Sequence, residues 1–205
     1  LIDSSEKGIL EDKVYCVYLS PLKALSSDVH FNLIQPLKEM EELSKKKFGI
    51  RIAVRTGDTT TAEKQKMLRE TPHILITTPE SAGILLTSPK FKENLKNIDW
   101  CIVDEVHALA ENKRGTHLAL SLEVLQSLSP GMCRVGLSAT VSPLEEIAKF
   151  MVGYENSKPR PCKVVEISFL KELDVKVLSP VSDLIDSTHA LMHHKMYKMI
   201  HDLIQ

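Results

Sequence analysis

The chain has 205 residues, 43% hydrophobic and 26% charged, and its 26 Lys and Arg against 27 Asp and Glu leave a net charge of -1. That is the size of one large domain or two small ones, with enough apolar residues for a sizeable core. It excludes a bulk polycation that grips nucleic acid by total charge, though not a local basic track, and 5% aromatics argue against a surface of stacked base platforms. In chain order, residues 14–19 form the first strand-sized apolar run. Residues 21–40 read as a helix opened by Pro21, with Pro36 expected to kink or break it. A strand over 50–54 and a helix over 60–69 follow, then a strand over 73–77 and a helix over 79–86 with Pro79 in its first turn. The strand at 98–103, the helix at 116–128, the strand at 133–138 and the helix opened by Pro143 over 143–151 continue the alternation. Residues 156–161 (N-S-K-P-R-P) read as a loop and 164–167 as a last strand. From 182 to 205 the pattern is helical, with Leu184, Ile185, Met192, Met196, Met199, Ile200 and Leu203 near one face. Strands alternating with helices, several without polar alternation, predict a parallel α/β sheet buried on both faces.

No apolar run approaches the ~18 residues of a membrane helix, and the N-terminus has no charged-then-apolar leader. Cys16, Cys101, Cys133 and Cys162 are far apart and form no C-x-x-C pair. This argues for reduced thiols, a cytoplasmic setting and no zinc ribbon. The first residue is Leu1, so further sequence is expected to precede it.

The strongest chemical signal is Ile102-Val103-Asp104-Glu105-Val106-His107. In an open α/β sheet, ligands gather at the carboxyl ends of strands. One carboxylate there can hold a Mg²⁺ that bridges phosphate oxygens. A second can orient or deprotonate an attacking water. Negative charge at a helix start is also favoured for purely structural reasons. Leu137-Ser138-Ala139-Thr140 follows the next strand, and its two hydroxyls can reach a neighbouring strand end; Thr140 or Ser142 can equally cap the helix opened by Pro143. Ser20-Pro21-Leu22-Lys23-Ala24-Leu25 and Thr77-Thr78-Pro79-Glu80-Ser81 place hydroxyls and a proline where strand passes to helix. Such turns bind phosphate through free N–H groups or simply cap the helix. In Arg55-Thr56-Gly57-Asp58-Thr59, Gly57 suggests close backbone approach or a positive φ, and Arg55 offers a phosphate contact.

In this order, S-P-L-K-A-L, R-T-G-D-T, T-T-P-E-S, D-E-V-H and S-A-T resemble the motifs of the first RecA-like domain of superfamily 2 helicases, with local wording similar to the large helicase-related (Lhr) family of archaea and bacteria. Lys113-Arg114-Gly115 with residues 117–123, and Val135-Gly136 running into S-A-T, add to it. The resemblance implies a predominantly parallel RecA-like sheet flanked by helices on both faces, in three layers. It implies ATP and Mg²⁺ as cofactors, with Asp104 holding the metal, Glu105 serving the hydrolytic water, and His107, Ser138 and Thr140 coupling hydrolysis to strand movement. Ser20, Pro21, Lys23, Thr78 and Pro79 are implied to line a single-strand track, with Arg55, Thr56 and Gly57 beside it. The implied partners are nucleic acid, single-stranded or partly duplex with DNA favoured over RNA, and a second RecA-like domain. Lys113 and Arg114 read either as nucleic-acid contacts or as a solvated turn.

One departure matters. The 205 residues hold no G-x-x-x-x-G-K-S/T, the loop that cradles phosphates. The expectation is a piece of a longer ATP-dependent helicase or translocase that by itself hydrolyses no ATP. Residues 1–170 would be a partial motor domain, and 171–205 a last strand and helix leading to the second. The alternatives are a non-catalytic nucleic-acid-binding RecA-like module and a structural domain whose tail helix docks on a partner. His189, His193, His194 and His201 crowd the tail, but no carboxylate or cysteine pattern completes a metal site.

Overall fold

Short β-branched runs closed by polar turns become five strands in the computed structural model, which describes residues 1–21, 30–139, 141–165, 176–183 and 185–204, and His30 by its backbone alone. They are β1 (Cys16–Leu19), β2 (Ile52–Arg55), β3 (Ile74–Thr77), β4 (Trp100–Val103) and β5 (Cys133–Gly136). All pair in parallel, in the order β2-β3-β1-β4-β5. From β1 the chain crosses to one side of the sheet, and from β4 it moves to the other. The carboxyl ends of β1 and β4 therefore flank a topological switch point, where such sheets bind ligands.

The helices are α1 (Ile2–Glu6), α2 (Gln35–Ser44), α3 (Thr61–Arg69), α4 (Pro79–Thr87), α5 (Pro89–Lys92), α6 (Val106–Ala110), α7 (Lys113–Leu128), α8 (Leu144–Val152) and α9 (His189–Ile204). Local chemistry explains several starts. Thr60 and Glu63 form a reciprocal capping box on α3. Thr78 caps α4, whose first position is Pro79. Asn112 caps α7.

Four expectations change. Pro36 does not break the helical run: it is the second residue of α2, and a π-helical turn (His30–Ile34) passes directly into that helix. Pro143 is the residue before α8, and no side chain caps that helix, so Ser142 does not. The loop at 156–161 contains half of a hairpin: β6 (Tyr154–Glu155) pairs antiparallel with β7 (Lys158–Pro159). Asn156 and Ser157 make its turn, both at positive φ. Val164 and Val165 lie in no strand and are exposed, while Ile167 falls outside the described residues.

The sheet's two faces differ. On one, Val17, Leu19, Leu75, Cys101 and Val103 are buried, together with Leu118, Leu122 and Leu125 of α7 and Ala82 and Leu85 of α4. Burying each such leucine contributes about 2 kcal/mol. The other face carries Tyr18 and Ile102, partly buried, and Trp100, half exposed. At the far end of the buried face, Arg134 donates to Glu123, Gln126 and the carbonyls of Leu122 and Met151. Arg160 joins the same Glu123 carboxylate and so ties the β6–β7 hairpin to α7.

The chain divides into two compact units, Leu1–Val164 and Val165–Gln205. In the second, α9 carries no buried residue. No helix among the described residues is long and apolar enough to cross a membrane.

Candidate functional site

Asp104 is the first residue beyond β4, at the switch point. Its N–H donates to the Leu19 carbonyl of β1 at 2.8 Å, which locks the turn to the neighbouring strand. Its carboxylate accepts from the Glu105 N–H at 2.9 Å and from the Tyr18 hydroxyl at 2.8 Å. Burial, then the hydrogen bond to Asp104, pushes the Tyr18 phenol up to about 12, so it stays a proton donor to that carboxylate. Among the described residues no Lys or Arg pairs with Asp104.

Glu105 sits in the left-handed region (φ 51, ψ 44) at the start of α6. For a residue with a side chain that conformation costs about 1 kcal/mol or more. The turn is held there because the Val106 N–H donates to the Leu137 carbonyl beyond β5. The same turn aims the His107 ring at the end of β5. Its Nδ1 accepts from the Ala139 N–H at 3.3 Å and lies 3.2 Å from Ser138 Oγ. That leaves the ring proton on Nε2, 3.0 Å from Glu105 Oε2. A continuous chain of contacts thus runs from Glu105 through His107 to Ser138 and Ala139. Thr140 lies outside the described residues.

The other predicted residues that the structure describes occupy the rim formed by β2, β3 and β1. The Ser20 N–H donates to the Thr77 carbonyl at 3.0 Å, and Thr77 Oγ1 donates to the Arg55 carbonyl at 2.5 Å, lacing the three strand ends together. Ser20 and Thr78 are buried. The Thr78 hydroxyl accepts from the Ser81 N–H, which is the capping role. Thr56 Oγ1 accepts from the Asp58 N–H, and Thr59 Oγ1 from the Thr56 N–H, so this loop is self-braced. Of the two expectations for Gly57, a positive φ does not hold, and a Cβ there would meet nothing within 4 Å. The loop needs no glycine for its own folding, and the space above Gly57 is open. Arg55, at the end of β2, is partly buried, which holds its guanidinium below its ordinary value. The guanidinium has no hydrogen-bond or ion-pair partner among the described residues. Pro21, just beyond β1, is partly buried, and Lys23 lies outside the described residues.

Sequence reasoning missed Tyr18. A tyrosine in an otherwise apolar strand needs a partner for its hydroxyl, and that signal was present. What a single strand lacks is register: pairing Tyr18 with Ile102 places the phenol beside the residue two further on, Asp104.

The donor set suits a Mg²⁺ carried by nucleotide phosphates. Such ions take one or two protein carboxylates and fill the rest of their shell with phosphate and water. Asp104 and Glu105 provide that number, and no cluster of three or more His, Cys, Asp or Glu exists among the described residues to form a closed cage. In the tail, the His189 and His193 ring centroids lie 5.0 Å apart.

Comparison with known proteins agrees with this layout. The profile described as DEAD/DEAH box helicase matches residues 4–149. The ATP-dependent helicase Lhr-Core of Methanothermobacter thermautotrophicus is 50% identical over 204 residues, 98% of this chain and 24% of that protein. Lhr-Core protein 2 of Thermococcus barophilus is 51% identical over 211 aligned residues, all of this chain and 24% of that protein. The solved structure of helicase Lhr from Mycobacterium smegmatis, bound to ssDNA and AMP-PNP, superposes with a TM-score of 0.68 at 39% identity, covering 94% of this chain and 25% of that one. The chain therefore spans about a quarter of the length of the relatives it matches.

Proposed function

Because the chain belongs to the DEAD/DEAH box helicase family, we propose that it supplies the hydrolysis and strand-gripping surfaces of an ATP-dependent helicase of the Lhr kind, acting on single-stranded or partly duplex nucleic acid. The observation that carries this reading is the switch-point constellation: two adjacent carboxylates after β4, coupled through His107 to the end of β5. Asp104 would hold the metal, and Glu105 would orient the attacking water and take its proton. Bound Mg-ATP supplies the phosphoryl group and a divalent charge that neutralises its oxygens. Tyr18 holds the Asp104 carboxylate in one orientation. His107 senses Glu105 on one side and the Ser138-Ala139 turn on the other, so a change at the carboxylate reaches β5 and the chain beyond it. Ser20, Pro21, Lys23, Thr78 and Pro79, with Arg55, Thr56 and Gly57, would follow the sugar-phosphate backbone. A partly buried Arg55 guanidinium, with no partner among the described residues, supports that assignment. An Lhr relative bound to ssDNA supports DNA over RNA.

Residues 1–170 form the motor portion in this proposal, and 171–205 lead to a second RecA-like domain, with the whole acting in the cytoplasm. The 205 residues carry no phosphate-cradling loop, so alone they turn over no ATP. The test is Asp104→Ala in a protein of the relatives' full length. DNA-stimulated ATP hydrolysis is expected to vanish, and surviving hydrolysis would remove Asp104 from the metal site.

A further inference from the structure

The Lys113-Arg114-Gly115 triplet reads from sequence as either a contact or a turn, and its geometry fits neither description fully. A Cβ at Gly115 would lie 2.2 Å from the Leu109 carbonyl oxygen, so only glycine lets α7 start this close to α6. The Gly115 N–H closes the turn onto the Asn112 carbonyl at 2.9 Å, and the Asn112 side chain accepts from the Arg114 N–H at 2.9 Å. The Arg114 backbone is thereby fixed just beyond the Asp104–His107 segment. Its side chain reaches back across the rim. Nε donates to Glu80 Oε1 at 2.6 Å, and Nη2 donates to the Pro21 carbonyl at 3.0 Å and lies 3.4 Å from Glu80 Oε2. The hydrogen bond from Arg114 is the main reason the Glu80 carboxyl is held below its ordinary range.

Pro21 lies two residues beyond β1, and Glu80 is the second residue of α4, after β3. These are the two turns assigned to the strand track, on adjacent strands. We propose that Arg114 is a positioning residue: one guanidinium forks between the Pro21 carbonyl and the Glu80 carboxylate, and so fixes the spacing of the two turns that contact the nucleic-acid backbone. An ion pair this exposed contributes little to stability, so its effect lies in geometry. Binding groups must be held to within about 0.5 Å to act together. A lysine keeps the charge but has no planar fork to satisfy carbonyl and carboxylate at once.

The inference rests on the track reading, and one experiment separates the two. Fluorescence anisotropy measures the affinity of the chain for a labelled oligothymidylate across a salt series. Arg55→Ala tests the track, since it removes a contact and flattens the salt dependence. Arg114→Gln and Arg114→Lys are each expected to weaken binding by about tenfold, the effect of losing a charge-assisted hydrogen-bonded fork, with Tm within about 4 °C of wild type. Glu80→Gln gives the opposing signs. If Arg114 acts by charge alone, deleting a carboxylate beside the track tightens binding; if Arg114 positions the turns, the same change weakens it. Should an Arg114 variant fail to fold, Glu80→Gln decides by itself. Wild-type binding that Arg55→Ala weakens, together with an Arg114→Lys that binds normally or a Glu80→Gln that binds tighter, overturns the positioning role alone. A wild-type chain without salt-dependent binding overturns the track and the positioning role together.

Discussion

The two rims of one parallel sheet are built from the same five strands and use polar groups in opposite ways. At the amino rim the groups satisfy one another. Arg51 donates through Nε to the Thr71 carbonyl and pairs with Asp12, while its N–H donates to His73 Nδ1. Lys13 pairs with Asp99 and lies over the Tyr15 ring. Ser129 Oγ accepts from the Ile98 N–H and donates to the Leu95 carbonyl. At the carboxyl rim capacity is left over. Asp104 and Glu105 accept from neighbours but, among the described residues, face no Lys or Arg, Glu105 holds a left-handed backbone, and the Arg55 guanidinium has no partner among those residues. A closed rim indicates a folding job. A rim with strain and spare charge indicates a ligand job.

The comparison predicts that carboxyl-rim changes lose function at little cost in stability, and amino-rim changes the reverse. The largest effect is expected for Glu105→Gln in a protein of the relatives' full length. ATP turnover should fall by about a thousandfold, the usual loss when a general base is removed, while Tm and oligonucleotide affinity hold. Unchanged turnover in a stopped assay of phosphate release would break the assignment of this rim. Next is Ser129→Ala at the amino rim. Ser129 is 1% exposed, and its hydroxyl serves two buried backbone groups. Urea unfolding should show a loss of about 1–3 kcal/mol, with oligonucleotide affinity unchanged.

A third variant sharpens the contrast within one residue. Glu105→Gly relieves the left-handed strain and should stabilise the chain by about 1 kcal/mol, while removing the carboxylate from the site. A destabilised glycine variant would mean that the turn carries no stored strain.

The carboxyl rim was legible in outline because its residues follow strands in chain order. Strand runs show in sequence as apolar stretches rich in Val and Ile, and D-E-V-H and S-A-T mark the ends of β4 and β5. Contacts across strands were not legible. Tyr18 meets Asp104, and Arg114 meets Pro21 and Glu80, only through register and crossover, which no local pattern encodes. Of the two readings of Gly57, a positive φ does not hold, and the open space above it leaves room for a close backbone approach. The hairpin at β6–β7 was hidden because Pro159 discourages a strand reading, although an edge position tolerates it.

The smallest expected effect lies at the amino rim and depends on pH. His73 is 2% exposed. Burial, with the nearby Arg51 charge, holds its imidazole below the ordinary 6.5, and Asp12 opposes this only in part. The unfolded chain takes up a proton as pH falls through 6.5, whereas the folded chain, with Nδ1 already accepting from Arg51 N–H, does not. Between the folded value and 6.5 the unfolded state binds more protons, so stability rises with pH across that window and is complete above it. His73→Gln retains an acceptor for the Arg51 N–H without a titrating group. Its Tm should therefore change less than wild type between pH 7 and pH 5, in buffers of matched ionic strength. Equal slopes in the two proteins would assign the acid sensitivity to carboxylates such as Glu123, which Arg160 and Arg134 hold below the ordinary range.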